Sequence, residues 1–91
     1  MPIRISEQPP AADTLALNAL VWILQDERRA DRLLAMTGLT VQDLRAGVTE
    51  RAVQAAVLEF LAGHEADLLA AAEGLQVPPE ALAAAGRELA R

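Results

Sequence analysis

The feature that most constrains this chain is a repeat, in which apolar and small residues recur in the same order about 36 positions apart. Ala19, Leu20, Ile23 and Leu24 align with Ala56, Val57, Phe60 and Leu61, and Ala30, Asp31 and Leu33 with Ala66, Asp67 and Leu69. Gly38, Leu39 and Val41 then fall opposite Gly74, Leu75 and Val77. Leu44 reaches Leu82 once the second copy is allowed two extra residues, the Pro78 and Pro79 pair. A period of this length marks a unit of a few helices that cannot bury its apolar face alone. Two copies are too few for a solenoid, so the repeat predicts a compact bundle of two pseudo-symmetric helical units.

Helix signals divide the chain further. Residues 1–12 hold Pro2, Pro9 and Pro10 and lack helical period, so they read as a flexible tail ahead of a single domain over residues 13–91. Asp13 or Thr14 offers an N-cap oxygen for a first helix from Leu15 to about Asp26. Its stripe of Leu17, Leu20, Val21 and Leu24 is widened by Ala16, Ala19 and Ile23. A helix nearly apolar all round is either wrapped by others or faces a second molecule. A second helix, Glu27 to Met36, ends at Gly38, which takes a left-handed cap at little cost. Thr40 with Asp43 forms a capping box for a short helix through Ala46, stopped by Gly47. The next helix runs from Thr49 or Glu50 to Ala62, burying Val53, Val57, Phe60 and Leu61 and leaving Gln54 and Glu59 outside. After Gly63 a helix from His64 to Glu73 is stopped by Gly74, and Pro79 opens the last one, to about Ala90. No segment alternates as a strand does, so the expected fold is an all-α bundle of five to six short helices.

At 91 residues, with 53% hydrophobic but only 2% aromatic side chains, the core is expected to be thin and built from Leu, Ala, Val and Ile. The absence of cysteine removes disulfides, thiolate zinc sites and a cysteine nucleophile, and the chain opens on no signal segment; both point to a cytoplasmic protein. The longest apolar run, Leu15 to Leu24, is about half the length needed to cross a bilayer, so no membrane contact is expected.

Charge narrows the function classes. The net charge is −5, and residues 52–86 carry Glu59, Glu65, Asp67, Glu73 and Glu80 with no base. This reads as a solvated face rather than a recognition surface, and it disfavours nucleic acid, which needs clustered positive charge. Residues 33–46 loosely resemble a helix-turn-helix, yet the second helix offers only Gln42, Asp43 and Arg45, and Asp43 would repel phosphate. The one basic cluster, Arg28, Arg29 and Arg32, is neutralised locally by Asp26, Glu27 and Asp31. His64, Glu65 and Asp67 are the sole grouping with the look of a site, but one imidazole and two acids make a poor zinc set, and Ser6 is the only serine. The reading is of a protein that is not an enzyme and takes no cofactor, metal or small-molecule substrate.

The segments Leu17-Asn18-Ala19-Leu20-Val21-Trp22-Ile23-Leu24, Arg32-Leu33-Leu34-Ala35-Met36-Thr37-Gly38-Leu39 and Val57-Leu58-Glu59-Phe60-Leu61 resemble a small bacterial all-helical family catalogued only as a domain of unknown function. The resemblance covers roughly residues 15–82 and implies a helical architecture and a bacterial source, with no functional residue to carry over. Trp22, the only tryptophan, fits either a core position or an interface anchor. The function expected from the residues is a non-catalytic module for self-association or for binding another protein, with Leu17, Val21, Trp22 and Leu24 as candidate interface. A helix-turn-helix DNA-binding regulator over residues 33–46 is the alternative.

Overall fold

The computed structural model describes residues 11–91, so the predicted tail lies almost wholly outside the described residues. Within them the chain forms α1 (Ala12–Leu24), α2 (Glu27–Thr37), α3 (Val41–Ala46), α4 (Arg51–Ala62), α5 (Glu65–Leu75) and α6 (Pro79–Ala90), with no strand. The fold is the expected all-α bundle, and most of its joints follow from local chemistry. The Asp26 carboxylate accepts from the amides of Arg28 (2.9 Å) and Arg29 (3.2 Å), satisfying two donors that the first turn of α2 cannot pair. At α3 both halves of the capping box are present: Thr40 Oγ1 accepts from the Asp43 amide and Asp43 Oδ2 from the Thr40 amide, each at 2.9 Å. Pro79 sits in the first turn of α6, where its missing donor is no loss.

Three sequence expectations need correction. α1 starts at Ala12 and stops at Leu24, with Ala11 as an N-cap that makes no side-chain hydrogen bond. Asp13 instead lies in the first turn, where its Oδ1 accepts from the Thr14 amide at 2.8 Å and its charge favours the positive end of the helix, and Asp26 leaves α1 to cap α2. Gln54, assigned to the outside of α4, is buried at 9% exposure, and its Nε2 donates to the Val48 carbonyl at 2.9 Å. It ties the α3–α4 connection to α4. Finally, Gly74 does not stop α5. That helix continues to Leu75, and Gln76 takes the left-handed conformation with φ 59° and ψ 46°.

The last point resets the repeat. Glu27 corresponds to Glu65, Gly38 to Gln76 and Val41 to Pro79, a constant shift of 38 residues, and the left-handed caps of α2 and α5 fall on this register. The likeness of Gly38-Leu39 to Gly74-Leu75 at 36 therefore joins glycines with different tasks. Gly38, at φ 76°, turns the chain. Gly74 lies within a helix because a Cβ there would stand 2.8 Å from Trp22 Nε1.

The shared core is made by α1, α4 and α6, which pack on one another, with α2 and α5 each lying against both α1 and α4. Ile23, Leu33, Leu58, Leu61 and Leu82 are its largest fully buried side chains, and Ala16, Ala19, Ala55 and Ala85 let helix axes approach. At Gly86 α6 comes close to α4, and a Cβ there would stand 3.2 Å from Leu58 Cβ. The two units differ at their third helix. α6 is 12 residues long and packs on α4, α1 and α5, whereas α3 is 6 residues long, has no comparable packing, and is anchored through Leu44. Among the described residues no helix is long and apolar enough to cross a membrane.

Candidate functional site

α1 buries Ala12, Leu15, Ala16, Ala19, Leu20 and Ile23, which leaves part of its apolar surface uncovered. Leu17, Val21 and Leu24 face outward at 47%, 50% and 48% exposure, and Val41 at the start of α3 is 59% exposed. Spacings of four and three residues place the α1 side chains in one row along the helix. Together with Leu20, Leu44, Arg45 and Val48 they line a groove of about 280 Å³ between α1 and α3. Only Arg45 brings charge to it, and among the described residues Arg45 pairs with no carboxylate. From the sequence Val41 stood out only as a repeat position and Arg45 only as a polar residue of the helix-turn-helix reading, and Val48 not at all. The signal available was Val41 itself, an apolar residue in the first turn of a helix too short to bury it.

The second unit supplies an internal comparison. On the 38-residue register Leu20, Val21, Leu24, Arg45 and Val48 correspond to Leu58, Glu59, Ala62, Ala83 and Gly86, and all five of these line a groove between α4 and α6. The same architectural position thus carries a glutamate, an alanine and a glycine in one unit and valine, leucine and valine in the other. Bundle packing does not demand large apolar groups there, because the α4–α6 groove does without them. Leu17 differs from its counterpart Ala55 in burial as well, 47% exposed against 7%. Beside Leu17 α3 has already ended, whereas α6 continues along α4.

Trp22 is half-buried and packs against the core rather than into the groove. Its ring lies between two elements: the Arg29 guanidinium stacks on it at 3.6 Å from the ring centre, and Gly74 abuts the indole Nε1 edge. Arg29 also donates from Nη2 to the Trp22 carbonyl at 2.6 Å and lies 3.7 Å from Asp26, while its buried Nε has no partner among the described residues. The cluster joins the α1–α2 turn to α5. Held by these contacts, the Asp26 carboxyl has a pKa below its ordinary value of 3.8. The Arg29 amide is the main cause, outweighing partial desolvation, with further help from the Arg28 amide and both arginine charges.

The other candidate groupings are committed elsewhere. His64 caps the end of α4, its Nδ1–H donating to the Phe60 carbonyl at 2.8 Å while its ring leans on Phe60. Asp67 turns to α2 and binds Arg32 at 2.7 Å, and Glu65 remains exposed, so the three residues do not converge. In the arginine cluster Arg29 and Arg32 are thereby both engaged. Glu59, Glu65, Glu73 and Glu80 are exposed on three different helices. Among the described residues no group of three His, Asp or Glu side chains is placed to hold a metal ion.

Comparison with known proteins adds a family. The model of a family described as a protein of unknown function, DUF3572, matches residues 9–91, which span the whole bundle. The chain belongs to DUF3572. No curated protein and no solved structure matches it. The groove, the Trp22–Arg29–Gly74 cluster and the 38-residue register are thus features of a DUF3572 chain, and all of them lie within the residues that the family spans.

Proposed function

We propose that this DUF3572 chain is a non-catalytic cytoplasmic module that binds another protein through the α1–α3 groove. The observation that carries the reading is the contrast between two equivalent grooves of one molecule: Val21 and Leu24 stand exposed where Glu59 and Ala62 occupy the other unit. Keeping large apolar side chains half in water favours association, since burying them releases on the order of 25 cal/mol for each Å² removed from solvent. Patches of this kind on monomers are often where partners bind. Val21→Glu gives the first unit the residue that the second already tolerates, so it should leave the fold intact. Affinity capture from the native lysate by wild type and by Val21→Glu tests the reading, with at least one retained protein expected to depend on Val21. Identical captures would overturn it.

Binding of duplex DNA through α2 and α3 is the less supported alternative. Asp43 is held in the capping box at the mouth of α3, and two of the three clustered arginines already have partners. Phosphate contacts would have to rest on Arg28 and Arg45 alone.

A further inference from the structure

We infer that the occupant of the α1–α3 groove is a short amphipathic helix of another protein, carrying an apolar row and an acidic residue placed to meet Arg45. The inference rests on the reading of this face as a docking surface and names the partner by its chemistry. Three observations lead to it.

The first is the shape of what is missing. α6 runs on past the end of the stretch equivalent to α3, which stops at Ala46 and is followed by the turn at Gly47. A Cβ at Gly47 would lie 2.6 Å from Val53 Cγ2, so the chain turns tightly into α4 and cannot itself extend along α1. Ala85, Gly86 and Leu89, buried on α6 beyond that point, have no helical counterpart beside α1, and Leu17 is left uncovered. A helical segment lying along α1 in the line of α3 would restore the arrangement that the second unit has. Its apolar residues would meet Leu17, Val21 and Leu24 in the helix-in-groove manner.

The second is charge. Arg45 is the one charged residue lining the groove. A second copy of this chain would bring a second Arg45 to the contact and a net charge of −5 against −5. A partner with an acidic residue at the edge of its apolar face replaces that repulsion by an ion pair and fixes the register of docking. The third is area. Four side chains about half exposed offer on the order of 350 Å² per molecule, so two copies face to face would bury roughly 700 Å², against about 1,200 Å² at the small end of specific interfaces. An area of that size suits a reversible contact with one helix rather than a permanent dimer.

A displayed library of short peptides of helical design, with randomised apolar and polar faces, tests the inference when selected on the full chain. Each binder is then measured against Val21→Glu and Arg45→Glu. The expected binders become helical on the protein, carry an acidic residue beside their apolar row, lose binding on Val21→Glu, and weaken about tenfold on Arg45→Glu, in a manner that fades with added salt. Binders that need Val21 but are not helical, or that carry no acid and ignore Arg45→Glu, would overturn the helix-with-acid proposal while leaving the docking face standing. So would light scattering that finds a dimer abolished by Val21→Glu. A library yielding no Val21-dependent binder would overturn both.

Discussion

At the scale of single residues, short-range chemistry was readable wherever a residue's role depended on its neighbours in sequence. Thr40 with Asp43, Gly38 and Pro79 each do what their positions require, because a cap or a left-handed turn needs only the backbone within a few residues. Gly74 was misread because its role depends on a ring 52 positions away, and no local pattern records that Trp22 lies against α5. Two predictions belong here. Gly74→Ala should raise helix propensity by up to about 1 kcal/mol yet force the indole aside at about 1–3 kcal/mol, for a net loss of around 1 kcal/mol in denaturant unfolding. The Trp22 emission should shift with it; a more stable protein with unchanged fluorescence would refute the contact. Asp26→Asn keeps a capping oxygen and loses the charge. Because the folded pKa of Asp26 lies below its unfolded value of 3.8, its ionisation stabilises the fold above that pH, and the gain disappears as pH falls through the lower, folded value. Thermal midpoints of wild type and Asp26→Asn should therefore differ at neutral pH and converge below about 3.8, whereas a constant gap across the acid range would show that the charge plays no part.

At the scale of elements, six helices and most of their ends were legible, since apolar period and breakers suffice for long segments. Which side of α1 turns inward was not. The sequence of α1 is apolar on nearly every side, so period alone cannot choose between Leu15, Ala16 and Ala19 and the row of Leu17, Val21 and Leu24. The choice is made by what α4, α5 and α6 cover, with the small residues Ala16 and Ala19 taken inward and buried. Gln54 shows the same limit from the polar side. A glutamine on a helix reads as solvated, and only the return of the α3–α4 connection gives its amide the Val48 carbonyl. Gln54→Ala should then leave that part-buried carbonyl without its partner, lowering stability by about 1 kcal/mol in chemical denaturation. Amide exchange should quicken around Val48 to Glu50 before it does in α6. Uniform exchange across the bundle would mean that the connection does not depend on Gln54.

At the scale of the whole molecule, the repeat was visible in the sequence but its register was not, because matching glycines at 36 residues outweighed the matching helix boundaries at 38. Once the boundaries set the register, the molecule serves as its own control. Each unit builds a long helix with a groove beside its third helix, and only the first groove keeps bare valines and leucines. That asymmetry is the basis for the proposal that this DUF3572 chain binds through α1 and α3 rather than through the acidic residues of α4 to α6. The most direct test is a photo-crosslinking side chain installed at position 21 in one variant and at the equivalent position 59 in another, irradiated in the native cells. The account predicts a discrete adduct with one other polypeptide at position 21 and none at position 59. Equal labelling at both positions, or an adduct at 21 of twice the chain's own mass, would contradict it.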